Sequence, residues 1–152
     1  MFKFSNKRME YEEQMLEENS DTLPPNVQYQ RIDRYNYILQ IRGEVGSVHE
    51  GAYIIADVSL NGFPVEAPQV NFRNNFQHVN IFPMGKLCLY LVNKETWISS
   101  TSLIDVFSGI NQVIHHPTFN DPANSLYKDS EVYEKDMKEQ AKKFRDEKYK
   151  II

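Results

Sequence analysis

Cys88 is the residue with the clearest capacity for chemistry, and it is the single cysteine of the chain. A thiolate attacks an acyl carbon well and also leaves well, so one cysteine can accept an acyl group and pass it on. His78 stands ten residues before it, and Asn80 follows two residues after His78. A lone cysteine is more often a small buried apolar side chain, so the spacing of its neighbours has to decide between the two roles.

No acidic residue or histidine lies close beside Cys88 in the sequence, although Lys86 would favour the thiolate modestly. A cysteine protease pairs its thiol with a histidine base, and the missing local base argues against that chemistry. Pro83 and Gly85 interrupt any regular ladder, which indicates an extended loop rather than a helix or a central strand. The pattern indicates a thiol on an extended loop, without a base beside it in the sequence.

The segment 77–91 resembles the active-site segment of the ubiquitin-conjugating enzymes. In that family His-Pro-Asn is followed by a short bend ending in Gly and then by the catalytic Cys-Leu. One position departs from the pattern, because Val79 stands where the family usually has proline. Matches continue at a downstream tryptophan and an Asp-Pro pair, and the resemblance extends over roughly residues 7–144. The residues that carry it are His78, Asn80, Gly85, Cys88, Leu89, Trp97, Asp121 and Pro122.

The resemblance implies three catalytic residues. Cys88 would carry the modifier as a thioester. Asn80 would stabilise the oxyanion or order the loop, since a carboxamide donates hydrogen bonds without acting as a base. Asp121 would orient the attacking lysine and help to remove its proton. Asp121 is equally suited to form a cap or turn before Pro122, and both roles can hold at once.

The resemblance also implies three structural residues beside the thiol. His78 is expected to hold the loop through a backbone hydrogen bond and not to act as a base. Val79 can adopt the extended geometry of the usual proline, but it samples more conformations and leaves an N–H to satisfy. Phe82 stands where some relatives have an aromatic side chain against the acceptor lysine.

Protein partners follow from the same resemblance: the modifier, an activating enzyme, a ligase and protein substrates. The basic start of the first helix would bind the activating enzyme through Lys7 and Arg8. An apolar ligase contact would fall on Val65, in a turn with two prolines that is otherwise a rigid link. A second ligase contact, usually x-Pro-Ala after the tryptophan, here contains Ser99 and Ser100, which predicts an unusual choice of ligase.

The identity of the modifier is left open between ubiquitin and the ubiquitin-like proteins. The runs 132–135 and 140–144 resemble the C-terminal helix of SUMO-conjugating enzymes. The acidic composition and the short loop 43–51 resemble the ubiquitin- and Rub-type enzymes, and together they favour ubiquitin. The competing hypotheses are SUMO- or Rub-type conjugation, a catalytically weak modifier-binding module of the same fold, and a plain interaction domain. Cys88 argues against the modifier-binding module, and a plain interaction domain would need neither Asn80 nor Asp121.

Composition sets the broad class. The 152 residues suffice for one domain, predicted to span 1–152, with 25% charged residues, a net charge of −4 and a pI of about 5.6. This acidic balance supplies no basic field for nucleic acid, and no run of about eighteen apolar residues predicts a membrane span. A single cysteine excludes an internal disulfide and a cysteine-rich zinc site, and the adjacent His115 and His116 do not share a helix face. We therefore expect a soluble monomer in the cytoplasm or nucleus, without metal or cofactor.

The chain predicts an α+β fold with the UBC order of elements as the scaffold for these residues. A charged helix over 5–19, with Ser5 as its N-cap, precedes the double proline Pro24-Pro25. Four strand-like runs follow, at 27–32, 35–41, 52–60 and 69–73. Their short links favour an antiparallel meander, because parallel neighbours need long crossovers. The active-site loop comes next, and two to three helices close the chain.

Two of these later helices have a clear apolar stripe. The first is capped by Ser102 or Thr101 and has apolar residues at i, i+4, i+7 and i+11, and the second lies within 125–150. Trp97 is expected to anchor the core. The inward residues are predicted to be Leu103, Phe107, Ile110 and Ile114 in the first helix, and Tyr133, Met137, Gln140 or Ala141, and Phe144 in the second.

Overall fold

A four-stranded antiparallel sheet is the scaffold of the computed structural model, which describes residues 3–87 and 96–152. The strands lie side by side in chain order, so that each one pairs with the next. The predicted meander is therefore confirmed, and the short links between strands explain why no crossover is needed. The strands are β1 (Val27–Asp33), β2 (Asn36–Arg42), β3 (Tyr53–Ser59) and β4 (Gln69–Phe72).

The register of β2 decides which face of the sheet is buried. Leu39 lies opposite Tyr29 on β1 and Ala56 on β3. Tyr37, Leu39 and Ile41 alternate along the strand and are almost completely buried, as the period of two between side chains on one face requires. This face packs against the helices and forms one side of the core.

The described residues contain three α-helices: α1 (Lys3–Asn19), α2 (Leu103–His115) and α3 (Ser130–Phe144). The predicted N-cap at Ser5 is wrong, because α1 begins at Lys3 and therefore includes Ser5. The N-cap of α2 is Ser102 rather than Thr101, and its side chain accepts the N–H of Asp105 at 3.1 Å. Across the described parts of the chain, no helix combines the length and apolarity needed to cross a bilayer.

The predicted stripe of α2 is confirmed. Its apolar residues are fully buried in the core, and each buried side chain of this size contributes about 1.5–3 kcal/mol relative to exposure. The ring of Phe107 lies 5.9 Å from that of Tyr37 and 5.8 Å from that of Tyr29. The buried stripe consists of Leu103, Phe107, Ile110 and Ile114.

Helix α3 contributes to two apolar clusters. Ala141 and Phe144 join the main core. Tyr133 and Met137 form a smaller cluster that includes Val79, from the candidate site segment. The sequence left open whether Gln140 or Ala141 faces the core. Ala141 does so, since it is 1% exposed, whereas Gln140 is only half-buried. Helix α3 therefore lies directly behind the segment that precedes the cysteine.

The last residues of the chain cover part of the opposite face of the sheet. Gln40 points away from the helices because it alternates with the core residues of β2. Its side-chain oxygen accepts the backbone N–H groups of Ile151 at 2.8 Å and Ile152 at 3.0 Å. Tyr53 on β3 donates its hydroxyl to Glu147 at 3.1 Å. These bonds explain how a glutamine in the centre of a sheet is buried.

Candidate active site

The segment His78–Ile81 forms a tight turn that His78 itself stabilises. The Ile81 N–H donates to the His78 carbonyl at 3.2 Å, and the Asn80 N–H donates to the Nδ1 atom of His78 at 3.0 Å. Because Nδ1 accepts this hydrogen bond, the ring proton lies on Nε2. The Nε2–H group donates to the carbonyl oxygen of Ile114 at 3.0 Å. Both ring nitrogens are occupied, which favours the structural role over proton transfer. His78 thus ties the turn to the end of α2.

His78 belongs to a cluster of three buried histidine rings. The ring of His49 stacks on His78 with centroids 5.7 Å apart and meets the edge of His115 at 5.9 Å. Burial lowers the pKa of His78 to about 4 and that of His49 to about 3, and it also lowers the pKa of His115. The Nε2 atom of His115 accepts the N–H of Glu44 at 3.0 Å, a bond that only an unprotonated nitrogen can accept. The cluster is therefore neutral at neutral pH.

Asn80 is 4% exposed, and both the nitrogen and the oxygen of its carboxamide form hydrogen bonds with Thr118. The Nδ2 atom donates to the backbone oxygen of Thr118 at 2.9 Å and to its hydroxyl at 3.1 Å. The Oδ1 atom accepts the N–H of Thr118 at 3.0 Å. These bonds order the loop, one of the two tasks expected of Asn80. Donation to an oxyanion would require an N–H of Nδ2 to turn away from Thr118.

Val79 occupies the second position of the turn and is completely buried. It packs in the small cluster with Tyr127, Tyr133 and Met137. Its carbonyl accepts the N–H of Asn124 at 3.1 Å. None of the described residues accepts the Val79 N–H. Proline is favoured at the second position of such turns, so the turn with Val79 has a backbone that the family's usual proline would also fit.

A second turn, Phe82–Lys86, directs the chain toward Cys88. The Gly85 N–H donates to the Phe82 carbonyl at 2.8 Å, and the Phe82 N–H donates to the Lys86 carbonyl at 2.9 Å. Gly85 has φ 104°, and a Cβ there would lie 2.8 Å from the Phe72 carbonyl oxygen, so only glycine fits. The structure follows the chain to Leu87, whose N–H donates to Val70 on β4 at 3.1 Å.

Cys88 lies outside the described residues, together with 1–2 and 89–95. Among the other predicted site residues, Phe82 is 38% exposed, on the turn that leads to Cys88. Asp121 is exposed, and its carboxylate has no hydrogen bond or ion pair with any described residue. Asp121 nevertheless lies between two anchored residues, Thr118 and Asn124. Its backbone is held near the turn while its side chain stays free.

The two basic residues predicted for the activating enzyme differ in the structure. Lys7 is exposed. Arg8 binds Glu12 at 2.9 Å and donates to the backbone oxygens of Ser99 at 2.7 Å and Thr101 at 2.9 Å. Glu12 is 1% exposed and also accepts the first N–H of α2. Arg8 therefore joins α1 to the loop before α2, and Lys7 is the one of the two with an exposed side chain.

The residues predicted for the ligase lie on two loops that bind each other. Val65 is 76% exposed, and Ser99 and Ser100 are also exposed. The Nε1 atom of Trp97 donates to the Pro64 carbonyl at 2.7 Å and so connects the two loops. The ring of Trp97 packs on the core only in part, so the expected anchor is half-buried.

Three polar residues around the site were not foreseen, His49, Thr118 and Asn124, and Gln140 was predicted only as a possible inward residue of its helix. Each is held against the site segment by hydrogen bonds or ring contacts described here. Ordinary polar side chains in helices and loops have no motif that marks them, so only the folded chain identifies these partners. Within residues 3–87 and 96–152, no three His, Cys, Asp or Glu side chains are grouped so that they could hold a metal ion.

Comparison with known proteins places these features in a class. The family model described as ubiquitin-conjugating enzyme matches residues 7–148. A protein of Acanthamoeba polyphaga mimivirus, named as a probable ubiquitin-conjugating enzyme, is 25% identical over 143 residues, covering 92% of this chain and 89% of that protein. The SUMO-conjugating enzyme UBC9 of Caenorhabditis elegans is 29% identical over 120 residues, covering 74% and 72%. A SUMO-conjugating enzyme of Dictyostelium discoideum is 30% identical over 98 residues, covering 60% and 62%.

The order of elements is that of the UBC fold: an N-terminal helix, a four-stranded antiparallel meander and C-terminal helices. The match covers nearly the whole chain. The chain belongs to the ubiquitin-conjugating enzyme family, whose members are transferases of ubiquitin and ubiquitin-like modifiers. Such enzymes interact with a modifier, an activating enzyme and a ligase.

Proposed function

We propose that this chain accepts ubiquitin from an activating enzyme as a thioester on Cys88 and transfers it to a substrate lysine, usually with a ligase. The observation that carries the proposal is the turn His78–Ile81. Its Asn80 side chain binds the segment of Asp121, and the following turn directs the chain to the single cysteine. The protein acts as a monomer in the cytoplasm or nucleus.

The chemistry consists of two acyl transfers. In the first, the Cys88 thiolate attacks the thioester carbonyl of the charged activating enzyme, whose own cysteine leaves as a thiolate. In the second, the neutral amine of a lysine attacks the Cys88 thioester, and the Cys88 thiolate leaves as the amide forms. The attacking amine loses one proton, which Asp121 helps to remove. Negative charge that develops on the carbonyl oxygen needs a donor, the second task expected of Asn80.

Ubiquitin is favoured as the modifier by the acidic composition and by the short loop 43–51. Two backbone bonds close this loop at its base, Gly51 N–H to Gly43 at 3.0 Å and Gly43 N–H to Ala52 at 2.9 Å. SUMO is the second candidate, favoured by the sequence of α3 and by relatives named as SUMO-conjugating enzymes. A Rub-type modifier is the third.

A charging assay tests the function and the modifier together. The protein is incubated with ATP and with ubiquitin, SUMO or Rub, each supplied with its own activating enzyme. We expect a thiol-reducible adduct with the mass of ubiquitin. Cys88→Ser should form a slower, thiol-resistant ester, because oxygen is a poorer leaving group, and Cys88→Ala should form none. An adduct that persists in Cys88→Ala would contradict the assignment, whereas binding without an adduct would identify a modifier-binding module.

A further inference from the structure

Gln140 on α3 forms a two-way pair with the backbone of Gln77, the residue immediately before His78. Its Oε1 atom accepts the Gln77 N–H at 2.7 Å, and its Nε2 atom donates to the Gln77 carbonyl at 3.0 Å. One carboxamide thus satisfies both backbone polar groups of a residue that belongs to no strand. The neighbouring Ala141 supplies the core contact of this helical turn, which leaves Gln140 with a polar task.

The side chain of Gln77 extends this contact toward the segment of Asp121. Its Oε1 atom accepts a hydrogen bond from the Nδ2 atom of Asn124 at 3.0 Å. Asn124 is 1% exposed, and its backbone N–H donates to the Val79 carbonyl at 3.1 Å. Gln140 therefore holds the backbone of Gln77, and the side chain of Gln77 holds Asn124. We call this series of bonds the carboxamide chain; it connects α3, the turn and the residue three places after Asp121.

This carboxamide chain and the Asn80–Thr118 pair act on the same segment from its two ends. Asn80 holds Thr118 before Asp121, and the carboxamide chain holds Asn124 after it. Asp121 itself makes no bond with a described residue that would fix its position. Its place relative to the turn is thus set by these two anchors, and an error of about 1 Å at a reacting centre can cost about a hundredfold in rate.

We infer that Gln140, acting through Gln77 and Asn124, is a positioning residue for lysine attack, which sets the location of Asp121 relative to the His78–Ile81 turn. The inference rests on the proposed function, since lysine attack is its second step. The first step involves no lysine and does not depend on Asp121. Gln140 is therefore needed for discharge of the thioester and not for its formation.

The substitution Gln140→Glu tests the inference with little change in shape. An ionised carboxylate still accepts the Gln77 N–H but repels the Gln77 carbonyl, whereas a protonated carboxyl restores both bonds. We expect normal charging and, near neutral pH, a discharge to free lysine that is slower by about ten- to a hundredfold. The ratio of wild-type to variant rate should shrink as the pH falls, because the carbonyl raises the pKa of the new carboxyl.

Two controls make the result specific. Gln112→Glu introduces the same charge at an exposed position of α2 and should leave charging and discharge at wild-type rates. Discharge to hydroxylamine, which is a neutral nucleophile at neutral pH, should be affected less than discharge to lysine. The loss should appear in the maximal rate and not in the lysine concentration at half-saturation, since a misplaced Asp121 acts on the transition state.

Wild-type discharge by Gln140→Glu at every pH would overturn the inference. A defect shared equally by charging, lysine and hydroxylamine, or one that acid does not relieve, would also overturn it, since that pattern belongs to a purely structural residue. If Gln140→Glu does not fold, Asn124→Asp tests the other end of the carboxamide chain, with the same selective loss of lysine discharge expected. A wild-type protein that fails to charge would contradict the proposed function first, which distinguishes the two failures.

Discussion

The two residues assigned to lysine attack lie in opposite surroundings. Asn80 is buried, and its carboxamide makes three hydrogen bonds with Thr118. Asp121 is exposed, and its carboxylate contacts no described residue through a hydrogen bond. The Asn80 carboxamide is therefore already hydrogen-bonded in the free protein, while the Asp121 carboxylate is available as a hydrogen-bond acceptor.

This difference indicates a division of labour. Burying a polar group is costly unless it is bonded, so the Asn80 bonds both position the loop and stabilise the fold. An exposed carboxylate contributes little to folding, and its substitution should affect rate alone. The predictions below test this contrast, from the largest expected change in free energy to the smallest.

Acid should disrupt the bonded side first, through the buried histidines. Their pKa values in the folded state lie below the ordinary value of 6.5, at about 4 for His78 and about 3 for His49. The contribution of these two histidines to stability is therefore fully present above pH 6.5 and is lost as the pH falls toward their pKa values in the folded state, since the unfolded chain binds protons that the folded chain does not. Protonation of each histidine lowers the free energy of unfolding by about 1.4 kcal/mol per pH unit. The two together should therefore lower it by about 5 kcal/mol between pH 6.5 and about pH 4.5. Denaturant unfolding measured against pH gives this slope.

Substitutions can assign the acid effect to the cluster. His49→Phe should reduce the dependence of unfolding free energy on pH by one proton, because phenylalanine does not titrate. A phenyl ring should be accommodated, since His49 already lies among the rings of Phe76, His78 and Tyr133. His116→Gln is the matched control, since His116 is exposed. The carboxylate of Glu44, 3.4 Å from His115, favours the protonated form of that ring, so His115 should contribute less to the acid destabilisation. Equal slopes in His49→Phe and wild type would contradict the prediction.

Asn80→Ala should damage both stability and rate. It leaves the Thr118 N–H without its partner, which should lower the free energy of unfolding by about 1–3 kcal/mol. Discharge to lysine should fall by about ten- to a thousandfold, while charging continues. Asn80→Asp separates the tasks, because it keeps the acceptor for the Thr118 N–H but loses both donors. Normal discharge by Asn80→Asp would exclude oxyanion donation.

Asp121→Ala should affect only the rate. We expect an unfolding free energy within about 0.5 kcal/mol of wild type, normal charging, and discharge slower by about a hundredfold. The pH optimum for lysine attack should rise, since bulk base must then remove the proton. Asp121→Asn keeps the shape without the charge and should show the same defect. A joint loss of charging and melting temperature would instead identify a turn former before Pro122.

Val79→Pro is the smallest of these changes. The residue is second in a tight turn, and no described group accepts its N–H, so proline should stabilise the protein by up to about 1 kcal/mol. Discharge should quicken modestly, with charging unchanged, because the turn that carries Asn80 becomes stiffer. The melting temperature and single-turnover discharge check both points. A destabilised variant would show that this loop departs from the path usual in the family.

Much of the fold was predictable because it depends on local periodicity. The stripe of α2 and the alternation in β2 each define a buried face within a few residues of sequence. The element order and the meander followed from these faces and from the short links. The start of α1 was misplaced by two residues, since polar caps are common and Ser5 resembles one.

The candidate site was less predictable. The side-chain roles of Cys88, Asn80 and Asp121 remain predictions, carried by motif spacing. The half-buried position of Arg8 was not foreseen, because an arginine beside a lysine at the start of a charged helix has the composition of a solvated face. Its partners, Ser99 and Thr101, come 91 and 93 residues later.

The sequence by itself determined the order of elements, and it predicted the nucleophile and the motif around it, since residue type and short spacing contain that information. The tertiary structure alone decided which polar groups meet. Asn80 finds Thr118 across 38 residues, and Gln140 finds Gln77 across 63. The reason is physical: apolar burial is encoded by periodic patterns along one element, whereas a hydrogen bond requires two particular atoms about 3 Å apart, which only the packing of distant elements provides.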